Sequence, residues 1–122
     1  MQSTNILLVG LGGALGSMAR YAISATFGHA PDAIWATFFV NTLGSLAIGA
    51  LSGMMASLGA SAGTIRAFAV VGVCGGFTTF STFSNETFRL LQSRRMALAG
   101  TYALGSLLAG LAAVALGWWL TK

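Results

Sequence analysis

Four long apolar runs, at residues 6–27, 34–58, 66–91 and 96–120, fill nearly the whole chain, and the joints between them are short. Each run is long enough for a helix to cross the hydrocarbon of a bilayer, which takes about 20 residues. The pattern predicts an all-α membrane protein of four transmembrane helices, forming a single integral membrane domain over residues 1–122. Thr4 or Asn5 is placed to cap the first helix. Gly28, His29, Ala30, Pro31 and Asp32 read as a turn, Pro31 suiting a turn or the first residue of the next helix. Residues 59–64 are a small-residue connection, with Gly59 as a helix stop and Thr64 as a cap for the third helix.

The third run breaks the apolar pattern at its centre. Gly75 and Gly76 are adjacent there, and residues 77–87 then hold six hydroxyl side chains, three phenylalanines, one amide and one carboxylic acid. Lipid offers no hydrogen-bond partner, so polar groups at this depth must face protein or water. The expectation is a third helix broken in mid-membrane at Gly75 and Gly76. A broken helix leaves free carbonyls at one end and free N–H groups at the other, and such ends can hold ions. The density of hydroxyls after the glycines favours a site over a plain kink. On a helix starting near Thr79, Phe80, Phe83 and Thr87 share a face, with Glu86 beside it and Arg89 three residues on as a candidate ion-pair partner. Aromatic edges are positive and hydroxyls donate, so the combination suits a small dehydrated anion.

Composition narrows the classes. Of 122 residues, 56% are hydrophobic and 7% charged, against about a quarter charged in soluble domains. The formal charge is +4, but the six basic residues are scattered and Arg94-Arg95 is the only basic pair, so no nucleic-acid patch exists. Cys74 is the sole cysteine and reads as a small packing residue. His29 has no ligand cluster around it, and no acid pair or plausible catalytic triad appears, so the chain is not expected to be an enzyme.

The other runs supply partners for the third. Gly12 and Gly16 form a small-residue pair suited to close helix packing. Arg20 has two readings, a side chain snorkelling to the interface or a positive charge in the mouth of an anion path. Asn41 is either an interhelical hydrogen bond or a pore-lining donor. Tyr102, Ser106 and Gly110 recur every four residues on the last run, either as a packing stripe or as a second wall of a pathway. Trp35, Trp118 and Trp119 mark interfaces with the headgroups. With four spans both termini lie on one side. That side carries Arg66 and Lys122, against Arg94 and Arg95, plus Arg89 and Arg20 if these reach the interface, on the other. So weak a bias predicts insertion in both orientations and antiparallel pairing with a second copy.

The run from Gly75 through Phe77, Thr78, Thr79, Phe80, Ser81, Thr82, Phe83, Ser84, Asn85 and Glu86 closely resembles the Fluc/CrcB fluoride channels. The resemblance extends along the chain through Arg20-Tyr21, Val40-Asn41 and the tyrosine–serine stripe. It implies a passive fluoride-selective channel of the bacterial cytoplasmic (inner) membrane that exports fluoride and confers resistance to it. It also implies an antiparallel dual-topology homodimer with two pores. Phe80 and Phe83 would be the pore aromatics, and Asn41, Ser81, Thr82, Glu86, Tyr102 and Ser106 polar pore residues. Arg20 would stand near an entrance. The backbone carbonyls of Gly75 and Thr78 would hold a structural sodium ion on the dimer axis. Gly110 departs from the hydroxyl often found at the third position of the last stripe. The competing class is a proton-coupled exporter of the small multidrug type, which fits less well because the first span has no acid; a non-transporting assembly subunit is the third reading.

Overall fold

The computed structural model describes residues 2–29, 33–59 and 62–122. Among these every regular element is helical: α1 (Gln2–Phe27), α2 (Ala33–Met55), α3 (residues 62–77), α4 (Phe80–Gln92) and α5 (Met96–Thr121). α3 and α4 together form one 31-residue apolar segment, Ala62–Gln92, and with α1, α2 and α5 make four helices long and apolar enough to cross a membrane. Thirty-one residues exceed what a straight span needs, so this segment has length to spare for a local change of path.

The expected joints are met in part. Gly28 and Gly59 both take positive φ, +82° and +60°, closing α1 and the turn after α2. Ala30, Pro31 and Asp32 lie outside the described residues, as do residues 60 and 61. Thr4, Asn5 and Thr64 sit inside helices rather than at caps, because α1 begins at Gln2 and α3 at Ala62. The α4–α5 joint is tight: Ser93, Arg94 and Arg95 return their N–H groups to carbonyls of the last turn of α4, and Arg94 takes φ 60° to do so.

Two pairs of helices carry most of the packing, α2 with α5 and α1 with α3. Both use missing side chains. A Cβ on Gly12 would run into the Phe68 carbonyl, one on Gly16 into the Val73 carbonyl, and one on Gly76 into Gly13. In the other pair, a Cβ on Gly49 would meet the Val114 carbonyl and one on Gly117 the Leu46 carbonyl. Lipid tails are as apolar as leucine, so helices gain most by approaching backbone to backbone. Within α3, residues Arg66–Cys74 are wound as a π-helix, and the Gly75 N–H still reaches the Val70 carbonyl. Cys74 is buried there, as a packing residue should be.

A compact apolar cluster of Ile34, Leu90, Ala99 and Tyr102, edged by Phe38, Phe83 and Leu98, ties α2, α4 and α5 together. Outward-facing leucines such as Leu7, Leu11, Leu108 and Leu111 are exposed. On a helix in lipid that is the solvated state. Trp35 and Trp119 are also exposed, and Lys122 Nζ stands 5.3 Å over the Trp119 ring.

Candidate functional site

The central feature is the junction of α3 and α4. Gly75 and Gly76, where sequence placed the change of path, remain helical. The backbone leaves helical dihedrals two residues later, at Thr78 (φ −84°, ψ 159°) and Thr79 (φ −151°, ψ 118°). The glycines are used instead for contact, Gly76 lying against the Gly13 backbone of α1.

Two extended residues at this depth expose backbone groups that lipid cannot satisfy, each at a cost of several kcal/mol. Side chains supply the partners. Asn41 of α2 acts as a two-pronged clamp on Thr79: its Oδ1 accepts from the Thr79 N–H at 2.7 Å, and its Nδ2 donates to the Thr79 carbonyl at 3.0 Å. The Thr79 hydroxyl accepts from the Thr82 N–H at 3.2 Å, an N-cap for α4. The Thr78 hydroxyl donates to the Cys74 carbonyl at 2.9 Å. On the α1 side, Arg20 Nε donates to the Gly76 carbonyl at 3.1 Å, with the Ser17 hydroxyl at 3.5 Å from the same oxygen. Arg20 thus places positive charge at the C-terminal end of α3, where the helix dipole is negative.

These clamps have a consequence for two carbonyls. In a continuous helix, Gly75 C=O would receive the Thr79 N–H and Thr78 C=O the Thr82 N–H. Both donors are diverted, the first to Asn41 and the second to the Thr79 hydroxyl. Gly75 and Thr78 are therefore the carbonyls of the junction whose helical donors are taken by side chains.

Beyond the junction, α2, α4 and α5 enclose an open groove of about 490 Å³. Asn41, Thr78, Phe80, Phe83 and Ser106 line it, and so do Ser45, Thr79 and Gly110. Its ring centroids are close: Phe80 to Phe83 is 6.0 Å and Phe83 to Tyr102 is 5.1 Å. Phe80 is 80% exposed, so most of its ring is left uncovered by the rest of the chain. Among the described residues, Ser106 Oγ is buried without a hydrogen-bond partner, in a groove otherwise mostly apolar. Tyr102, 6% exposed, donates to Glu86 Oε1 at 2.8 Å, so the carboxyl group's partner is Tyr102 rather than Arg89.

The structure thus gathers Asn41, Phe80, Phe83 and Ser106 about one groove, with Glu86 and Tyr102 joined just behind Phe83. Thr82 contributes its N–H to the cap, and Ser81 lies exposed with its hydroxyl 3.5 Å from that of Thr79. Arg20 sits on the other side of the junction, against α3. Two polar groove residues, Thr79 and Ser45, carry no strong sequence signal of their own. Thr79 reads from the sequence only as a helix start, because its role depends on Asn41, 38 residues away. Ser45 stands one turn after Asn41, and that i, i+4 spacing was the available signal.

A protein of Nitrobacter winogradskyi named fluoride-specific ion channel FluC is 45% identical over 119 residues, covering 96% of this chain and 94% of that protein. One of Thermus thermophilus with the same name is 49% identical over 114 residues, covering 92% and 90%. One of Hydrogenovibrio crunogenus, again so named, is 44% identical and covers 100% of this chain and 96% of that protein. Residues 7–118 match the family described as CrcB-like protein, Camphor Resistance (CrcB). Four membrane-spanning helices and these full-length relatives make the chain an integral membrane protein, and it belongs to the CrcB-like family.

Proposed function

We propose that this protein is a passive fluoride-selective channel that releases cytoplasmic fluoride across the inner membrane of a bacterium. The observation that carries this reading is the groove. In it, the buried, unpartnered Ser106 hydroxyl lies alongside Phe80 and Phe83 and the clamped Thr79 junction, in a chain whose relatives are named fluoride-specific ion channels. A fluoride ion entering a narrow path must exchange water for protein donors. Hydroxyl hydrogens and ring edges are donors of the right sign, and short charge-assisted hydrogen bonds favour the smallest halide. Conduction also requires that each contact be weak enough to release the ion to the next. Several modest donors in series meet that requirement better than one cationic trap.

The path is completed by a second copy, in our reading an antiparallel one, giving two pores. α4 supports this: Phe80, Ser81, Ser84 and Asn85 are all exposed on a helix at membrane depth, where hydroxyls and an amide need protein or water against them. The change of path at Thr78 and Thr79 serves as the mid-membrane break of the third span. The Gly75 and Thr78 carbonyls, with their helical donors diverted, suit a hard monovalent cation, and two copies about a two-fold axis offer four such oxygens. Sodium in that place is structural, neutralising carbonyl ends that lipid cannot solvate.

The test is anion efflux from liposomes carrying the purified protein under a potassium shunt. Fast fluoride release with negligible chloride release, and no need for a proton gradient, is the expected result. Silence toward both ions from verified, folded vesicles would overturn the reading. Strict dependence on an imposed proton gradient would favour a proton-coupled exporter instead.

A further inference from the structure

Four polar side chains from α2 and α5 stand in or beside the groove, and two of them are already engaged. Asn41 gives its amide to both backbone groups of Thr79, and Tyr102 gives its hydroxyl to Glu86. Ser106 and Ser45 are used by neither clamp, and both line the groove. Ser106 Oγ is buried with no partner.

Ser45 lies one helical turn beyond Asn41 on the same face of α2, as Gly110 lies one turn beyond Ser106 on α5. The two positions face each other: a Cβ built on Gly110 would lie 3.6 Å from Ser45 Oγ. Other glycines on the α2–α5 interface hold backbones together. Gly49 and Gly117 admit no Cβ at all without striking a carbonyl. Gly110 is different, since a Cβ there meets only ordinary van der Waals contact and that contact is the Ser45 hydroxyl. Close helix packing therefore does not explain a glycine at 110. Space beside the Ser45 hydroxyl does.

Resting on the channel reading above, we propose that Ser45 is an anion-coordinating residue, which continues the donor path beyond Ser106 from α2 at the level where α5 offers only Gly110. A hydroxyl has a single hydrogen, so it serves an anion only when that hydrogen is not committed elsewhere. Ser106 meets that condition, and Ser45, engaged in neither clamp, stands next along the groove on the opposite wall. The small residue at 110 leaves room for the ion, or for its last water, next to Ser45. On this account the hydroxyl at this level can come from either helix, provided the facing residue is small.

The experiment compares fluoride and chloride efflux from liposomes for the wild type, Ser45→Ala, Ser45→Thr, Gly110→Ser and the double variant Ser45→Ala/Gly110→Ser, each checked for intact assembly by gel filtration. Ser45→Ala should slow fluoride efflux about tenfold, the order expected when one hydrogen bond to a charged group is lost. Ser45→Thr keeps the hydroxyl and should stay near the wild type. The double variant moves the hydroxyl across the groove and should recover most of the lost rate. Ser45→Ala conducting like the wild type would overturn the proposal while leaving the channel reading intact. So would a double variant as slow as Ser45→Ala, because the loss would then lie in packing rather than in a donor. A wild type that fails to conduct fluoride would sink the channel reading, and this one with it.

Discussion

The two halves of the third span treat the membrane in opposite ways. In α3 the working residues are those without side chains. Gly72 and Gly76 bring the backbone against Gly12 and Gly13 of α1, and the contact is backbone on backbone. In α4, separated from α3 by only Thr78 and Thr79, the side chains do everything: they cap the helix, pair aromatic rings and project hydroxyls outward. One half is held rigidly so that the other can present polar groups where lipid would not tolerate them. The junction at Thr78 and Thr79 is where one regime changes into the other, and its fixed points come from other helices, Arg20 of α1 and Asn41 of α2.

The comparison breaks most completely if the rigid half is pushed away from α1. Gly16→Leu places a side chain against the Val73 carbonyl and the Phe77 N–H, both backbone groups that cannot rotate aside. Overpacking typically costs about 1–3 kcal/mol where side chains can move, and more is expected here. The expected outcome is loss of the assembled protein, read as disappearance of a single gel-filtration peak in mild detergent. A Gly16→Leu protein that elutes and conducts normally would show that the α1–α3 contact does not support the junction.

Cutting the clamp while leaving both halves in place is the next largest change. Asn41→Ala removes two hydrogen bonds and strands the Thr79 N–H and C=O, at about 1–3 kcal/mol for each buried group. Helix content by circular dichroism should hold, and fluoride efflux should fall by roughly a hundredfold or more, since RT-scale arithmetic makes about 2.7 kcal/mol a factor of that size. Asn41→Asp keeps an acceptor for the Thr79 N–H but loses the donor, and should fall between. If Asn41→Ala conducted as the wild type does, the clamp would be unnecessary to the path.

The same contrast explains what was readable from the chain alone. Four spans follow from run length, because a bilayer imposes a length that any reader of hydropathy can count. The Gly12 and Gly16 contact follows from spacing, and the Phe80–Phe83 face from helical periodicity. All of these are local. Glycine, the weakest helix former after proline, points to a change of path at Gly75 and Gly76, yet it lies at Thr78 and Thr79, which are better helix formers than glycine. Its position is set by Asn41, which satisfies an extended Thr79 from 38 residues away. A long-range clamp of this kind leaves no local signature. Nor does the π winding of Arg66–Cys74, since no composition distinguishes it from an ordinary apolar helix. Asn41 illustrates the difficulty from the other side: its two readings, interhelical bond or pore donor, were not separable by sequence. The geometry gives it the bond and also sets it in the lining of the groove, so the two readings are compatible.

The smallest effect tests whether the polar face of α4 depends on its link to α5. Tyr102→Phe removes the donor to Glu86 but keeps the ring that packs 5.1 Å from Phe83 and joins the cluster of Ile34, Leu90 and Ala99. The apolar core is preserved, so the loss is that of one hydrogen bond, about 1 kcal/mol. Thermal stability in detergent should drop by only a few degrees. Fluoride efflux should slow modestly, less than for Asn41→Ala, because Glu86 loses a fixed partner while the Thr79 junction is untouched. Should Tyr102→Phe instead slow efflux as severely as Asn41→Ala, the order of importance would reverse. The position of α4 against α5, rather than the junction between the two halves of the span, would then be what holds the groove in register.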